Sequence, residues 1–135
     1  MSHTGIKRMQ IDGAPQPAGA YAHAVTANGF LYTAGFGPTD PVTGLVVGDD
    51  VDTQTRQVLR NIGTVLAGAG LGFGDVVKAT VHLAELHRDF AAFNRAYAEF
   101  FPDGFPVRTT VGSTLMNILV EIDVVAAIPE PVPQR

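Results

Sequence analysis

The sequence predicts an α+β fold in which one mixed β-sheet carries two helices on a single face. Apolar residues alternate with period two in the segments expected to be strands, and they recur at three and four residues in two longer segments. These segments follow one another in the order β-β-α-β-α-β-β, which one sheet with two helices packed on it satisfies. The other face of that sheet has no third helix to cover it, so we expect the chain to associate with copies of itself.

Two strands and a turn are predicted ahead of the first helix. Residues 30–35, FLYTAG, alternate in polarity and lie between turn-forming dipeptides, as strands do. Residues 39–44, TDPVTG, have the proline and glycine positions of a turn. This turn lets residues 45–47 pair back as a short second strand. One more strand is a further option at residues 7–11.

The first helix is predicted from Asp50 to Ala69. Acidic residues cluster at its start, and Gly68 and Gly70 are expected to end it. The apolar positions at helical spacing are Val58, Leu59, Ile62, Val65 and Leu66.

The glycine-rich segment 68–74, GAGLGFG, resembles a phosphate-binding loop in composition only. Phosphate loops follow a strand and open a helix, so that amide groups at the helix N-terminus face the phosphate. Here the glycines follow a helix and precede a strand. A helix C-cap and a connecting turn are therefore predicted at this point.

A strand, a helix and two further strands are predicted in the second half. Residues 76–84, VVKATVHLA, alternate with period two, and a helix is expected from about Asp89 to Phe101. The apolar face of this helix consists of Phe93, Ala96, Tyr97 and Phe100. Residues 106–128 are then expected to form two strands joined by a short turn.

Length and composition indicate one domain spanning residues 1–135, in a protein of the cytoplasm. The absence of cysteine removes disulfides, thiolate metal sites and cysteine nucleophiles. The nine Lys and Arg residues form no basic stripe and the net charge is -4, so no nucleic-acid partner is expected. No apolar run reaches the length of a membrane span, and the polar first residues lack a secretory signal.

The histidines and serines offer no metal site and no nucleophile. The four histidines, none of which has metal-ligand spacing, are His3, His23, His82 and His87. His82 lies in the middle of an apolar strand and is expected to be a hydrogen-bonded residue of the core or of an interface. The two serines, Ser2 and Ser113, lie in no nucleophile motif.

Charged residues inside the last two strands leave two interpretations open. With period two, Arg108 and Thr110 share one face of their strand, and Glu121 and Asp123 share one face of the next. The first interpretation is a solvated face or an Arg–carboxylate pair at a subunit contact, and the residues alone favour it because such pairs are common. The second is a site for a small anion, in which Arg108 binds a carboxylate and Glu121 positions a water or transfers a proton.

Six segments, taken in order, resemble the RidA/YjgF family of reactive-intermediate deaminases. They are APQPAGAYAHAV (14–25), LYTAGFGPTDPVTGLV (31–46), TRQVLRNI (55–62), DVVKATVHLAEL (75–86), FAAFNRAYAEFF (90–101) and FPVRTTV with LVEIDVVAA (105–127). The resemblance covers residues 14–128, and its most specific part is the Arg of PVRTTV followed by the Glu of VEID. It implies a chorismate-mutase-like homotrimer whose strands form an inner barrel, whose helices lie outside and whose sites lie in clefts between subunits.

The resemblance also implies which residues form the site. Arg108 matches the arginine that holds the substrate carboxylate, and Glu121 matches the glutamate placed near the attacking water. The other residues placed at the site are Tyr21, Gly35, Phe36, Asn94 and Thr110. Ala34-Gly35-Phe36 replaces the family's Ser-Gly-Gln, so a hydroxyl is lost and an apolar ring is gained. Thr33 is not expected to replace that hydroxyl, because a one-residue offset along a strand points to the opposite face.

The function that the resemblance implies is hydrolysis of reactive 2-imino and 2-enamino acids, such as 2-aminoacrylate, to 2-keto acids and ammonia. No metal and no cofactor of its own is implied. One alternative is a non-catalytic sensor that binds small carboxylates in the same cleft, which Ala34 and Phe36 slightly favour. Another is a pathway-specific deaminase of a larger, 2-aminomuconate-like substrate. A ribonuclease role finds no support in an acidic chain without a basic groove.

Overall fold

The computed structural model describes residues 5–130, which form one six-stranded sheet with two α-helices packed on it. In chain order the elements are β1 (Lys7–Met9), β2 (Ala24–Ala27), β3 (Phe30–Thr33), α1 (Val51–Gly68), β4 (Val76–Leu83), α2 (Leu86–Ala98), β5 (Val107–Gly112) and β6 (Val120–Ala127). The strands lie in the order β1-β2-β3-β6-β4-β5, and every neighbouring pair is antiparallel except β4 and β5. The predicted α+β class is confirmed. Neither of the two described helices is long and apolar enough to cross a membrane.

The hydrophobic core lies between the helices and one face of the sheet. In β6, and in β4 from Ala79 onward, every second side chain is buried, and the register pairs Ala79 with Val124 and Val81 with Ile122 on this face. The five apolar positions predicted for the first helix, Val58, Leu59, Ile62, Val65 and Leu66, are all fully buried. Burial of such side chains contributes about 1.5–3 kcal/mol each before the entropic cost of ordering the chain.

A hairpin of β2 and β3 was not predicted from the sequence. Asn28 and Gly29 connect the two strands with φ angles of 52° and 83°, as a two-residue turn of left-handed backbone requires. The Asn-Gly pair between two apolar runs is the sequence signal that identifies this hairpin. The predicted strand at 30–35 is shorter, because β3 ends at Thr33, and a strand at 7–11 is present as β1.

Residues 45–47 pair back across the predicted turn, but they do so through one isolated bridge and not as the predicted short strand. One isolated bridge, between Thr39 and Val46, is the pairing in this segment. The Asp40 carboxylate accepts hydrogen bonds from the Val42 and Thr43 amides at 2.8 and 2.9 Å. These bonds fold the segment into a compact loop, which leaves no ladder to extend.

Helix α1 begins and ends as its sequence predicts. The Asp50 side chain caps the helix by accepting a hydrogen bond from the Thr53 amide at 2.8 Å. At the other end Gly70 has a φ of 77°, and the Leu71 amide donates to the Leu66 carbonyl at 2.8 Å. The glycine-rich segment 68–74 is thus a helix C-cap and a connection to β4, as predicted.

Helix α2 lies three residues earlier in the chain than predicted. The Asp89 amide donates to the Glu85 carbonyl at 2.9 Å, so Asp89 belongs to the first turn instead of starting the helix. After Ala98 the chain leaves the helix, and Phe100 and Phe101 pack on Phe73 with ring centroids 5.6 and 5.4 Å apart. Aromatic packing outside the helix therefore replaces the last turn that the periodicity predicts.

The last two strands are present but are not neighbours in the sheet. Strand β4 lies between them, parallel to β5 on one side and antiparallel to β6 on the other. Helix α2 forms the crossover connection that a parallel pair requires. Residues 113–119 then carry the chain from the edge strand β5 to β6, past the end of β4.

The second face of the sheet carries no helix, and apolar side chains are exposed on it. The register of β3 and β5 places on this helix-free face Phe30, Tyr32, Val107 and Val111, which are 37–68% exposed. The sheet is therefore covered on one face within the chain, as the sequence predicts.

Candidate functional site

Arg108 projects from β5 toward the helix-covered face of the sheet. In the β4–β5 register it lies beside the fully buried Ala79. Its guanidinium carbon lies 4.7 Å from the ring centroid of Tyr97, 5.3 Å from that of Phe93 and 5.7 Å from that of Phe90. All three distances are within the range of cation–π attraction.

Arg108 takes part in no ion pair within residues 5–130, in contrast to Arg56 and Arg88. Arg56 binds Glu99 at 2.6 Å, and Arg88 binds Asp89 at 2.9 Å. The described residues place no carboxylate within 4.0 Å of the Arg108 guanidinium and give it no hydrogen bond. Arg108 and Glu121 therefore form no ion pair with each other within one described chain. The N–H donors of Arg108 are therefore available to a ligand.

A cavity of about 310 Å³ opens beside the Arg108 guanidinium. This volume is at the small end of the range for small-molecule sites. The lining residues are Asn94, Tyr97, Ala98, Phe105, Pro106 and Arg108, so none of them is acidic. Thr110 lies two residues further along β5, on the same face as Arg108.

Glu121 belongs to a different part of the molecule. It lies opposite His82 in the β4–β6 register, and therefore on the helix-free face. From standard strand spacings, its Cα lies about 14 Å from that of Arg108, with the two side chains on opposite sides of the sheet. The carboxylate approaches Gly35, where a Cβ atom would lie 3.0 Å from Glu121 Cδ and Oε2.

Gly35, Phe36 and Tyr21 lie together near this second part of the site, around a cavity of about 70 Å³. The half-exposed Tyr21 accepts a hydrogen bond from the Ala18 amide at 3.0 Å. The Phe36 ring is 5% exposed and packs against the His23 ring, with centroids 5.9 Å apart. It is mainly a core residue, and its small cavity gives no support to a larger substrate.

Thr33 does not replace the hydroxyl that Ala34 lacks, as predicted. Its Oγ1 accepts a hydrogen bond from the Val124 amide at 3.0 Å, where the β3–β6 ladder ends. The hydroxyl is therefore part of the sheet and not of the site.

The hydrogen bond predicted for His82 is confirmed. His82 Nδ1 lies 2.7 Å from Ser113 Oγ on the helix-free face. Asp123 lies nearby on β6, and burial raises the pKa of its carboxyl group although His82 and Lys78 act to lower it. In the part of the chain that the structure describes, no three His, Cys, Asp or Glu residues are grouped to hold a metal ion. Ser2 and His3 lie outside that part.

The contact between the aromatic residues of α2 and Arg108 was not predicted from the sequence. Phe93 and Tyr97 were predicted as core residues, which they are, with 0% and 2% of their surface exposed. The spacing of Phe90, Phe93 and Tyr97 puts all three on one helix face, which is the available signal. Burial raises the pKa of Tyr97 although Arg108 acts to lower it, so the phenol stays neutral beside the cation.

Comparison with known proteins identifies relatives along nearly the whole chain. The sequence profile of the family described as Endoribonuclease L-PSP matches residues 11–128. A RutC family protein of Synechocystis is 44% identical over 128 residues, which are 92% of this chain and 98% of that protein. The 2-iminobutanoate/2-iminopropanoate deaminase of Salmonella typhimurium is 36% identical over 125 residues, or 89% of this chain and 96% of that enzyme.

Among solved structures, E. coli TdcF with bound serine superposes with a TM-score of 0.83 at 31% identity. The superposition covers 90% of this chain and 100% of TdcF. The extent of the profile match and the identity to these relatives agree with the six sequence segments. The chain therefore belongs to the RidA/YjgF family.

Proposed function

We propose that this protein hydrolyses reactive 2-imino and 2-enamino acids of the 2-aminoacrylate type to 2-keto acids and ammonia. The proposal rests on the surroundings of the Arg108 guanidinium. Its guanidinium lies beside a cavity of about 310 Å³ and has neither an ion pair nor a hydrogen bond within the described residues. A planar fork of N–H donors in this position suits a small carboxylate.

We propose further that each site forms between two subunits of a homotrimer. Arg108 and Glu121 of one chain lie on opposite faces of the sheet, so they cannot reach the same small molecule. In the proposed trimer the helix-free face of one subunit meets the edge strand β5 of the next, so that Glu121 approaches Arg108 of the neighbour around that edge. The exposed Tyr32, Val107 and Val111 on that face support such an assembly.

The chemistry assigned to this site needs no covalent intermediate. The enamine first becomes the imine, as carbon gains a proton and nitrogen loses one. Water then adds to the C=N carbon and the nitrogen takes a proton, which gives a carbinolamine. The C–N bond breaks as the carbonyl forms, and ammonia leaves with the second proton. Atoms and charge balance, because one water is consumed and one ammonia is released.

Each residue of the proposed site has a definite part in these steps. Arg108 holds the substrate carboxylate and so fixes the position of the imine carbon. Glu121 orients the water, accepts its proton and passes it to the leaving nitrogen, which typically accelerates a reaction about 10²- to 10⁴-fold. Asn94 and Tyr21 border the substrate, and the Thr110 main-chain carbonyl accepts a hydrogen bond from the nitrogen.

The names of two similar proteins support this substrate class. One relative is a 2-iminobutanoate/2-iminopropanoate deaminase, and TdcF was solved with serine bound. Both names describe small molecules of the amino-acid or imino-acid type. We do not propose the endoribonuclease activity that the description of the family profile names, because a chain with a net charge of -4 does not favour binding to RNA.

The test is the release of keto acid from imines generated in situ by an amino-acid oxidase. Wild-type protein should accelerate this release, whereas Arg108→Ala should lose about 100-fold in kcat/KM, because two charge-assisted hydrogen bonds are removed. Size-exclusion chromatography should give the same oligomeric state for both proteins. Arg60→Ala, which removes an exposed arginine of α1, is the matched control and should keep full activity.

Full activity in Arg108→Ala would refute the assigned role. Tight binding of keto acids by a wild-type protein that does not accelerate their release from imines would instead favour the non-catalytic sensor. The two results separate the residue assignment from the question of catalysis.

A further inference from the structure

We infer that Phe90, Phe93 and Tyr97 of α2, here called the aromatic box, position the Arg108 guanidinium for its ligand. This inference rests on the proposed function in taking a carboxylate as the ligand. The three rings come from one helix face, at spacings of three and four residues. Their centroids lie 4.7–5.7 Å from the guanidinium carbon.

The box holds the cation without using its hydrogen-bond donors. Arg56 shows the alternative, because its Nε and both terminal nitrogens bond to the Asp52 and Glu99 carboxylates. An arginine held in that way is already neutralised and has few donors left. Ring faces attract a cation through their quadrupole and accept no strong N–H···O bond. Arg108 is therefore fixed in place and still carries its full charge.

The box also leaves the charge uncompensated in the cavity. Among the lining residues, Asn94 and the neutral Tyr97 are the polar neighbours of Arg108, and none is acidic. Burial of Phe93 and Tyr97, at 0% and 2% exposure, keeps water from one side of the guanidinium. A charge with water excluded on one side attracts an anion more strongly than a fully hydrated charge does.

Selectivity for a carboxylate over its neutral amide follows from this arrangement. A carboxylate accepts two parallel hydrogen bonds from the donor edge and also neutralises the charge. An amide offers one acceptor and no charge, so it gains little from a well-oriented guanidinium. Loss of a ring should therefore weaken carboxylate binding and leave amide binding unchanged.

The experiment measures the binding of pyruvate and of pyruvamide by titration calorimetry or NMR, without turnover. Phe90→Leu is the principal variant, because Phe90 is 40% exposed and its loss should not disturb the core. We expect it to weaken pyruvate binding about three- to fivefold, as one cation–π contact contributes, and to leave pyruvamide unchanged. Tyr97→Leu should weaken pyruvate binding about tenfold. Tyr97→Phe, which keeps the ring, should bind pyruvate as the wild type does.

Phe100→Leu is the matched control. Phe100 is a half-buried aromatic residue just after α2, and it packs on Phe73, away from Arg108. This variant should bind both probes as the wild type does.

Unchanged pyruvate binding in Phe90→Leu would overturn the inference, as would equal weakening of pyruvate and pyruvamide. A wild-type protein that binds no pyruvate would also overturn it. Failure of the proposed function gives a different result, namely no acceleration of imine hydrolysis by a wild-type protein whose pyruvate affinity still depends on the box.

Discussion

Gly35 lies so close to the carboxylate of Glu121 that a Cβ atom at position 35 would come within 3.0 Å of the glutamate Cδ and Oε2. The φ angle of Gly35 is not in the left-handed region, so the backbone there does not require glycine. The need is for space. Glycine at this position keeps Glu121 in the orientation that the proposed mechanism uses.

Gly35→Ala should therefore impair catalysis more than folding. The added methyl group displaces the flexible end of Glu121 by a few tenths of an ångström, and kcat should fall about tenfold or more with KM little changed. The keto-acid release assay measures both constants. Gly74→Ala is the matched control, because a Cβ there meets no atom within 4 Å. A Gly35→Ala variant with wild-type kcat would show that the position of Glu121 is not critical.

Two inactive variants should restore activity when their subunits are mixed. In a trimer with each site shared between neighbours, an Arg108→Ala chain supplies an intact Glu121, and a Glu121→Gln chain supplies an intact Arg108. Random mixing at equal amounts should give about a quarter of the wild-type sites. Activity is measured after the two variants are unfolded and refolded together. No recovery above the separately refolded variants would place both residues of a site in one chain.

Asp123→Asn should stabilise the protein at neutral pH. Burial raises the pKa of Asp123 above the ordinary aspartate value of 3.8, so the folded state favours the protonated acid. Its stabilising contribution is complete below pH 3.8 and is lost as the pH rises through the folded-state pKa. The groups on this face around Asp123 are Lys78, His82 and Glu121. The melting temperature of the variant should exceed that of the wild type at pH 7, and the difference should shrink toward pH 3.8.

Asp50→Asn provides a control of opposite sign. The Thr53 amide lowers the pKa of Asp50 through its hydrogen bond, so the ionised acid favours the folded state. This contribution is present above pH 3.8 and is lost as the pH falls through the folded-state pKa. The variant should melt below the wild type at pH 7, and a higher melting temperature would contradict the sign argument.

Tyr97→Phe should raise the stability of the protein by about 1 kcal/mol, because it removes a buried hydroxyl that has no partner. Among the described residues, Tyr97 Oη is buried without a hydrogen bond. The ring stays in place against Phe93 and Phe101. Denaturant unfolding measures the change, and Phe101→Leu should destabilise by comparison. A less stable Tyr97→Phe would show that the hydroxyl has a partner in the assembly.

Local patterns in the sequence determined the helices, most strands and the residues worth testing. The period of apolar residues in α1, its Asp50 cap and its Gly70 end are interactions among residues a few positions apart. The same holds for the alternation in β4. Arg108 was a candidate from its strand alone, because an ion in an apolar segment needs a partner.

Strand order and the surroundings of each charge were decided by the tertiary structure. The sequence joins β5 to β6, yet β4 lies between them, and this places Arg108 and Glu121 on opposite faces. Period two shows which residues share a face of one strand, but not which face of the sheet that is. The rings of α2 meet Arg108 only because the crossover lays that helix over β4 and β5. Pairing between distant segments depends on how the whole core packs, and no local pattern encodes it.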